Sequence, residues 1–151
     1  MIEINITAKS TEGTVKQIRD VIGGDIEERW GEYILIVDSD LAKGNIRFIT
    51  FDWGVNLLEY DITFFDDITL IMDASNYNPI HFVYCLNGKC GHKFGFQKEI
   101  RTIEQFQSVI LSSKGGVHNY KYLPKNVKLE INVIQIARQL YLKKRLNNVS
   151  Q

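Results

Sequence analysis

The sequence predicts one mainly β domain, a sandwich or barrel, with a helix at each end. Three observations lead there: many short β-branched runs at regular spacing, Gly- and Asp-rich turns between them, and helical periodicity confined to the two ends. A chain of 151 residues fits one domain and buries a core without staples. Its 18 basic and 18 acidic residues balance, so no global field draws in nucleic acid or an anionic membrane. No apolar run approaches the roughly 20 residues of a membrane span. Met1-Ile2-Glu3-Ile4 has neither the basic start nor the apolar stretch of a signal peptide, so the expected location is the cytoplasm.

Ile2 to Thr7 alternates as a strand. Ser10-Thr11 supplies caps for a helix with Val15, Ile18 and Ile22 on one side, stopped by Gly23-Gly24. The period then changes to that of strands. Tyr33 to Val37 is apolar and β-branched, and Asn45 to Phe51 follows Gly44. After the Asp52-Trp53-Gly54 turn, Val55 to Phe65 sets Asn56, Leu58, Tyr60 and Ile62 on one face and Leu57, Glu59 and Asp61 on the other. Asp66-Asp67 turns the chain into Ile68 to Met72, and residues 73–79 read as a loop. Further strands are expected over Gln105–Ser112 and Tyr120–Leu123, and Val127–Val133 alternates cleanly. Ala137 to Leu146 lacks Gly and Pro and reads as a basic helix.

The segment from His81 to Phe94 concentrates the chemistry. Asn87-Gly88 is a type I′ hairpin signal, because that turn needs positive φ at both central residues. Such a hairpin sets Cys85 opposite Cys90 and Val83 opposite His92, and puts His81, Val83, Cys85, Cys90, His92 and Phe94 on one face. Both cysteines and two of the three histidines thus come together. A disulfide across a pair of Cα atoms about 4.5 Å apart is strained, so free thiols are expected. Cys85, Cys90 and His92 offer three zinc-type ligands, but the spacing is not a knuckle and no fourth stands near. No metal and no cofactor is expected.

Phe82-Val83-Tyr84-Cys85-Leu86-Asn87-Gly88 resembles a barrel strand and turn of the cupins. Metal-binding cupins carry a His-x-His pair, a Glu and a closing Gly in a first motif. With Gly88 as that Gly, His81 takes the Glu position, and the His-x-His pair falls within Ala74 to Tyr77, where there is no histidine. Ser113-Lys114-Gly115-Gly116-Val117-His118 resembles the second motif, with Ser113 for its proline and Tyr122 for its asparagine. Within cupins the chain is most similar to the amino-terminal sensor domain of AraC-type transcription regulators. The likeness rests on Lys43-Gly44-Asn45-Ile46, the strand from Trp53 to Asp61, Gln105-Phe106-Gln107 and Arg138-Gln139-Leu140-Tyr141.

The resemblance implies a cupin-like jelly-roll barrel (double-stranded β-helix) with an N-terminal and a C-terminal helix. Residues 1–136 form the effector-sensing barrel, and 137–151 begin a linker or dimerisation region. It implies a homodimer that binds an unknown small-molecule effector and meets DNA only through a C-terminal helix-turn-helix unit absent from this chain. The ligand-facing set is Trp53, Tyr60, His81, Tyr84, His92 and His118. For these residues, filling the core and lining a cavity stay open alternatives. No catalytic residue and no enzymatic activity is expected. The competing reading is a small metal-dependent cupin oxygenase or isomerase using His81 and His118. Lys143-Lys144-Arg145 fits a helix-end complement to the dipole, and Leu140, Tyr141 and Leu146 offer a dimer stripe.

Overall fold

Alternating apolar side chains along short strands build two facing sheets, and the space between them is the core. The computed structural model describes residues 1–8, 10–73, 79–95, 97–112 and 117–149. In chain order these form β1 (Ile2–Ile6), α1 (Thr11–Ile22), β2 (Asp25–Arg29), β3 (Glu32–Asp38), β4 (Ala42–Thr50) and a 3-10 turn (Asp52–Gly54). There follow β5 (Val55–Phe64), β6 (Ile68–Asp73), β7 (Ile80–Asn87), β8 (Cys90–Phe94), β9 (Arg101–Ile103), β10 (Ser108–Leu111), β11 (His118–Leu123), β12 (Lys128–Ile136) and α2 (Arg138–Val149).

One sheet runs β1-β6-β11-β8-β9, the other β10-β7-β12-β5-β4-β3-β2. From β5 to β8 every connection crosses between the sheets, as do those from β10 to β12. That shuttling is the jelly-roll barrel implied by the resemblance. Among the described strands only β1 lies parallel to its neighbour, pairing Ile2 with Ile68. Along β5 the inward set is Leu58, Tyr60, Ile62 and Phe64, and along β12 it is Leu129, Ile131 and Val133, all buried. Phe48, Ile46 and Leu35 continue the same layer.

The first helix matches its sequence signals closely. The Ser10 hydroxyl accepts from the Gly13 N–H at 3.0 Å, and Val15, Ile18 and Ile22 are buried. Gly23, at φ 83°, ends the helix, and the Ser39 hydroxyl donates to the Ile22 carbonyl at 2.7 Å. Two strands were not expected. β2 is almost wholly charged and exposed, and β9 has three residues, so neither carries a hydrophobic period. β10 begins later than expected because Phe106, at φ 66°, turns and donates its N–H to the Cys85 carbonyl at 2.7 Å.

The hairpin expected at Asn87-Gly88 does not form, and the register Cys85–Cys90, Val83–His92 is corrected with it. Both edges of β7 are occupied, by β10 and β12, and both edges of β8, by β11 and β9. No edge remains for β7 to pair with β8. The turn instead carries the chain from one sheet to the other, with positive φ at Gly88 alone. Positive φ at both residues of a two-residue loop occurs at Trp30-Gly31, between β2 and β3. The indole of Trp30 stands fully exposed there.

Gly44 shows how closely β4 and β5 approach. At φ 138°, a Cβ there would collide with the Asp61 carbonyl oxygen and lie 2.6 Å from the Ile62 Cα, both backbone atoms that cannot swing aside. Gly44→Ala is expected to destabilise the fold by about 2–4 kcal/mol, read as a lower urea midpoint at unchanged m-value.

Candidate functional site

The barrel interior holds a polar cluster built from β7, β8 and β11. On β7, His81, Val83 and Cys85 point inward and are buried, while Phe82, Tyr84 and Leu86 point out. On β8, Cys90 and His92 are buried. On β11, Asn119, Lys121 and Leu123 take the inward positions, with Lys121 opposite His92 in the ladder. The two cysteines and two histidines therefore do share one interior, reached by facing sheets and not by a hairpin.

Few of these groups have partners. The Asn119 Nδ2 lies 3.2 Å from the His81 Nδ1. Donation from that amide makes Nδ1 the acceptor and leaves the proton of His81 on Nε2. The Nε2 atoms of His81 and His92 and the Oδ1 of Asn119 are buried without a hydrogen-bond partner among the described residues. Residues 1–4% exposed hold these three atoms, so each carries the desolvation cost of an unmade hydrogen bond. The Lys121 ammonium has no hydrogen bond or ion pair with the described residues. The residue as a whole is partly exposed, yet its side chain lines an interior cavity with Tyr60, Cys90 and His92.

Burial sets the protonation of the cluster. It lowers the Lys121 ammonium to about 8. Burial and then the Lys121 charge bring His92 down to about 4, against a contact with the Asn119 amide that raises it. The same two causes, joined by His92, hold His81 well below the usual histidine range. Burial raises Cys90 to about 11, so the thiol stays protonated, and it raises the Tyr60 phenol as well. At neutral pH the cluster thus holds one cation among neutral imidazoles, an amide and a thiol. Both cysteines are free, and the Cys85 Sγ reaches the Gly88 carbonyl at 3.4 Å.

The cavity beside Lys121 measures about 20 Å³, room for one water-sized group, with walls that include Leu70, Val83, Ile103 and Val133. His92 and Leu111 also line an outer cleft of about 790 Å³, whose other residues include Phe94, Gln97, Lys98, Ile100 and Arg101. His92 and Leu111 thus line both the inner cavity and the outer cleft.

Of the six residues expected to face a ligand, Tyr60, His81 and His92 lie inside. Trp53 belongs to the 3-10 turn and packs edge-on against Tyr141 of α2, with ring centroids 5.7 Å apart. Tyr84 faces outward, into a groove on the outer sheet face with Phe82, Ile110 and Ile134. His118 is exposed, because it precedes the inward Asn119 by one residue and alternation puts it on the other face. The windows Ala74–Tyr77 and Ser113–Gly116 and the side chain of Leu140 lie outside the described residues. Sequence reading missed Lys121 and Asn119. Each sat in a stretch ruled by its tyrosines, and the period of two along β11 was the signal available.

A cupin barrel brings a metal to mind, and the donor set can be tested. Among the described residues no three His, Cys, Asp or Glu groups come together to hold one. The interior histidines have an ammonium as their neighbour where a metal site needs anionic or neutral donors. The residues do not fit a divalent ion, and the reading of His81 and His118 as its ligands is corrected by their opposite faces. None of the described helices is long and apolar enough to cross a membrane.

No family model and no curated protein matches the sequence. Similar solved structures are cupin-fold proteins, some tied to transcriptional regulators. An HTH_3 family transcriptional regulator from Vibrio cholerae shares 18% identity over 60% of this chain and 50% of its own, at a TM-score of 0.44. The Cupin_2 domain of an XRE family transcriptional regulator from Enterobacter cloacae shares 14% over 60% of this chain and 93% of its own, at 0.44. Hydroxypropylphosphonic acid epoxidase from S. wedmorenis shares 11% over 76% of this chain and 59% of its own, at 0.45. The chain thus spans only half to three-fifths of the regulator and the epoxidase. With an enzyme among these structures, the expectation of no enzymatic activity is corrected: the fold does not exclude catalysis.

The protonation of the cluster makes stability depend on pH. Between 6.5 and about 4 an unfolded chain holds a proton on residue 92 that the folded chain lacks, so stability is lost as pH falls through that window. Urea titrations should show about 2 kcal/mol less stability at pH 4.5 than at 6.5 from His92 alone, a difference that His92→Phe diminishes. Lys121 acts at the other end. From about 8 to 10.5 only the unfolded chain keeps its proton, so its contribution to stability rises with pH. Lys121→Met should stabilise the protein at pH 7 by about 1–3 kcal/mol, with the gain shrinking toward pH 10.

Proposed function

We propose that this chain is a small-molecule-binding barrel of the effector-sensing kind found in AraC-type transcription regulators. The observation that carries the reading is the set of polar atoms on His81, His92 and Asn119 that have no partner among the described residues, with the Lys121 ammonium likewise unpaired among them, inside an otherwise apolar barrel. Polar groups in a core built for stability alone are normally satisfied. Of these groups His92 lines both the inner cavity and the outer cleft, where an entering ligand can satisfy it.

Sensing requires a route from the barrel to an output. Here α2 follows β12 directly and is anchored to the 3-10 turn before β5. The Ala137 N–H donates to the Gly54 carbonyl at 2.9 Å, and Trp53 packs on Tyr141. Since β5 carries Tyr60 into the barrel and pairs with β12, a ligand that moves Tyr60 shifts the seat of α2. Leu142 and Leu146, one turn apart and exposed, form the seam through which α2 meets a second copy. The output is a changed homodimer geometry, delivered to a DNA-binding unit.

Thermal denaturation against a broad panel of small metabolites tests the reading. A genuine effector at a hundredfold excess over its dissociation constant should add about 2.7 kcal/mol, and absence of any shift across the panel overturns the proposal. Tyr141→Ala should leave that binding within threefold of wild type while abolishing the ligand-dependent change in sedimentation of the dimer.

A further inference from the structure

Inside the barrel there is a fixed positive charge and no described negative one to meet it. Lys121 projects inward from β11 beside His92, and the acidic residue that lines the outer cleft, Glu99, does not line the inner cavity. A part-buried cation that lines an interior cavity without a described counter-ion is costly for a fold to retain.

The dimensions narrow the ligand further. The inner cavity of about 20 Å³ admits one water-sized group, while the cleft beyond His92 and Leu111 offers about 790 Å³. A ligand therefore reaches Lys121 with a single leading oxygen and leaves its body in the cleft. There Phe94, Ile100 and Ile110 supply apolar surface, and Arg101 adds a second positive charge near His92. Within this barrel a lysine supplies the positive charge, so the favoured ligand is an anion and not a cation.

Resting on the reading of the barrel as a ligand site, we infer that this site takes a small monocarboxylic acid. One carboxylate oxygen pairs with the Lys121 ammonium, and the organic body occupies the cleft lined by Phe94, Ile100 and Ile110. Charge-assisted pairing of this type is stronger than a neutral hydrogen bond, and stronger again out of water.

Matched pairs test the assignment on the full chain by NMR titration: propionate against propionamide, butyrate against butyramide, benzoate against benzamide. The expected result is at least tenfold tighter binding of a carboxylate than of its amide, with shifts at His92 and Lys121. Lys121→Met should cost that carboxylate at least tenfold and leave the amide unchanged. Equal affinity for acid and amide, a comparison that needs only the wild-type chain, overturns the carboxylate assignment and leaves a neutral-ligand barrel standing. Undiminished carboxylate binding by a folded Lys121→Met chain overturns it in the same way. Failure of every acid and amide to bind overturns the carboxylate class, and the metabolite panel then decides the broader reading separately.

Discussion

The structure depends on saturation of strand edges. Each central strand has two hydrogen-bonding edges, and in this barrel the edges of β7 are taken by β10 and β12 and those of β8 by β11 and β9. Residues 81–85 and 90–92 therefore cannot fold onto each other, however strong the local turn signal, and must face each other from opposite sheets. That geometry encloses the space between them. It puts two histidines, two thiols, an amide and a lysine around one interior where a hairpin would have laid some of them on a flat surface.

Charge gives the enclosed space its character. Apolar walls from Leu70, Val83, Ile103 and Val133 remove water, and removing water is what makes one ammonium count. The same burial keeps both imidazoles neutral and both thiols protonated. Acid sensitivity, the pH dependence of Lys121 and the preference for an anionic partner all follow from that single condition. At the far end of β5 and β12 the packing is of another kind, an aromatic contact between Trp53 and Tyr141 that ties the last helix to the barrel.

Much of the fold was legible from local pattern. Ser10, Val15, Ile18, Ile22 and Gly23 specify α1 by cap, period and stop, and the alternation of β5 and β12 picked out their buried faces correctly. Weakly patterned elements were not legible. β2 has one apolar residue, Ile26, among four charged ones, and its pairing with β3 is held by a turn at Trp30-Gly31 that carries no common sequence signature. The site was half legible for a related reason. Tyr60, His81 and His92 announce themselves by residue type, whereas Lys121 looks like any strand lysine until its inward phase is known.

Residue order by itself thus determined the strongly patterned strands, which of their faces are apolar and where the end helices begin, since those follow from neighbours a few positions apart. Tertiary structure alone decided that β7 and β8 lie in different sheets, that Asn119 and not His118 turns inward, and that Lys121 stands unpaired beside His92. The physical reason is that strand pairing and inward phase are set by partners far along the chain, as with Ile2 against Ile68 and Val55 against Ile136, and no local period encodes which edge those partners will fill.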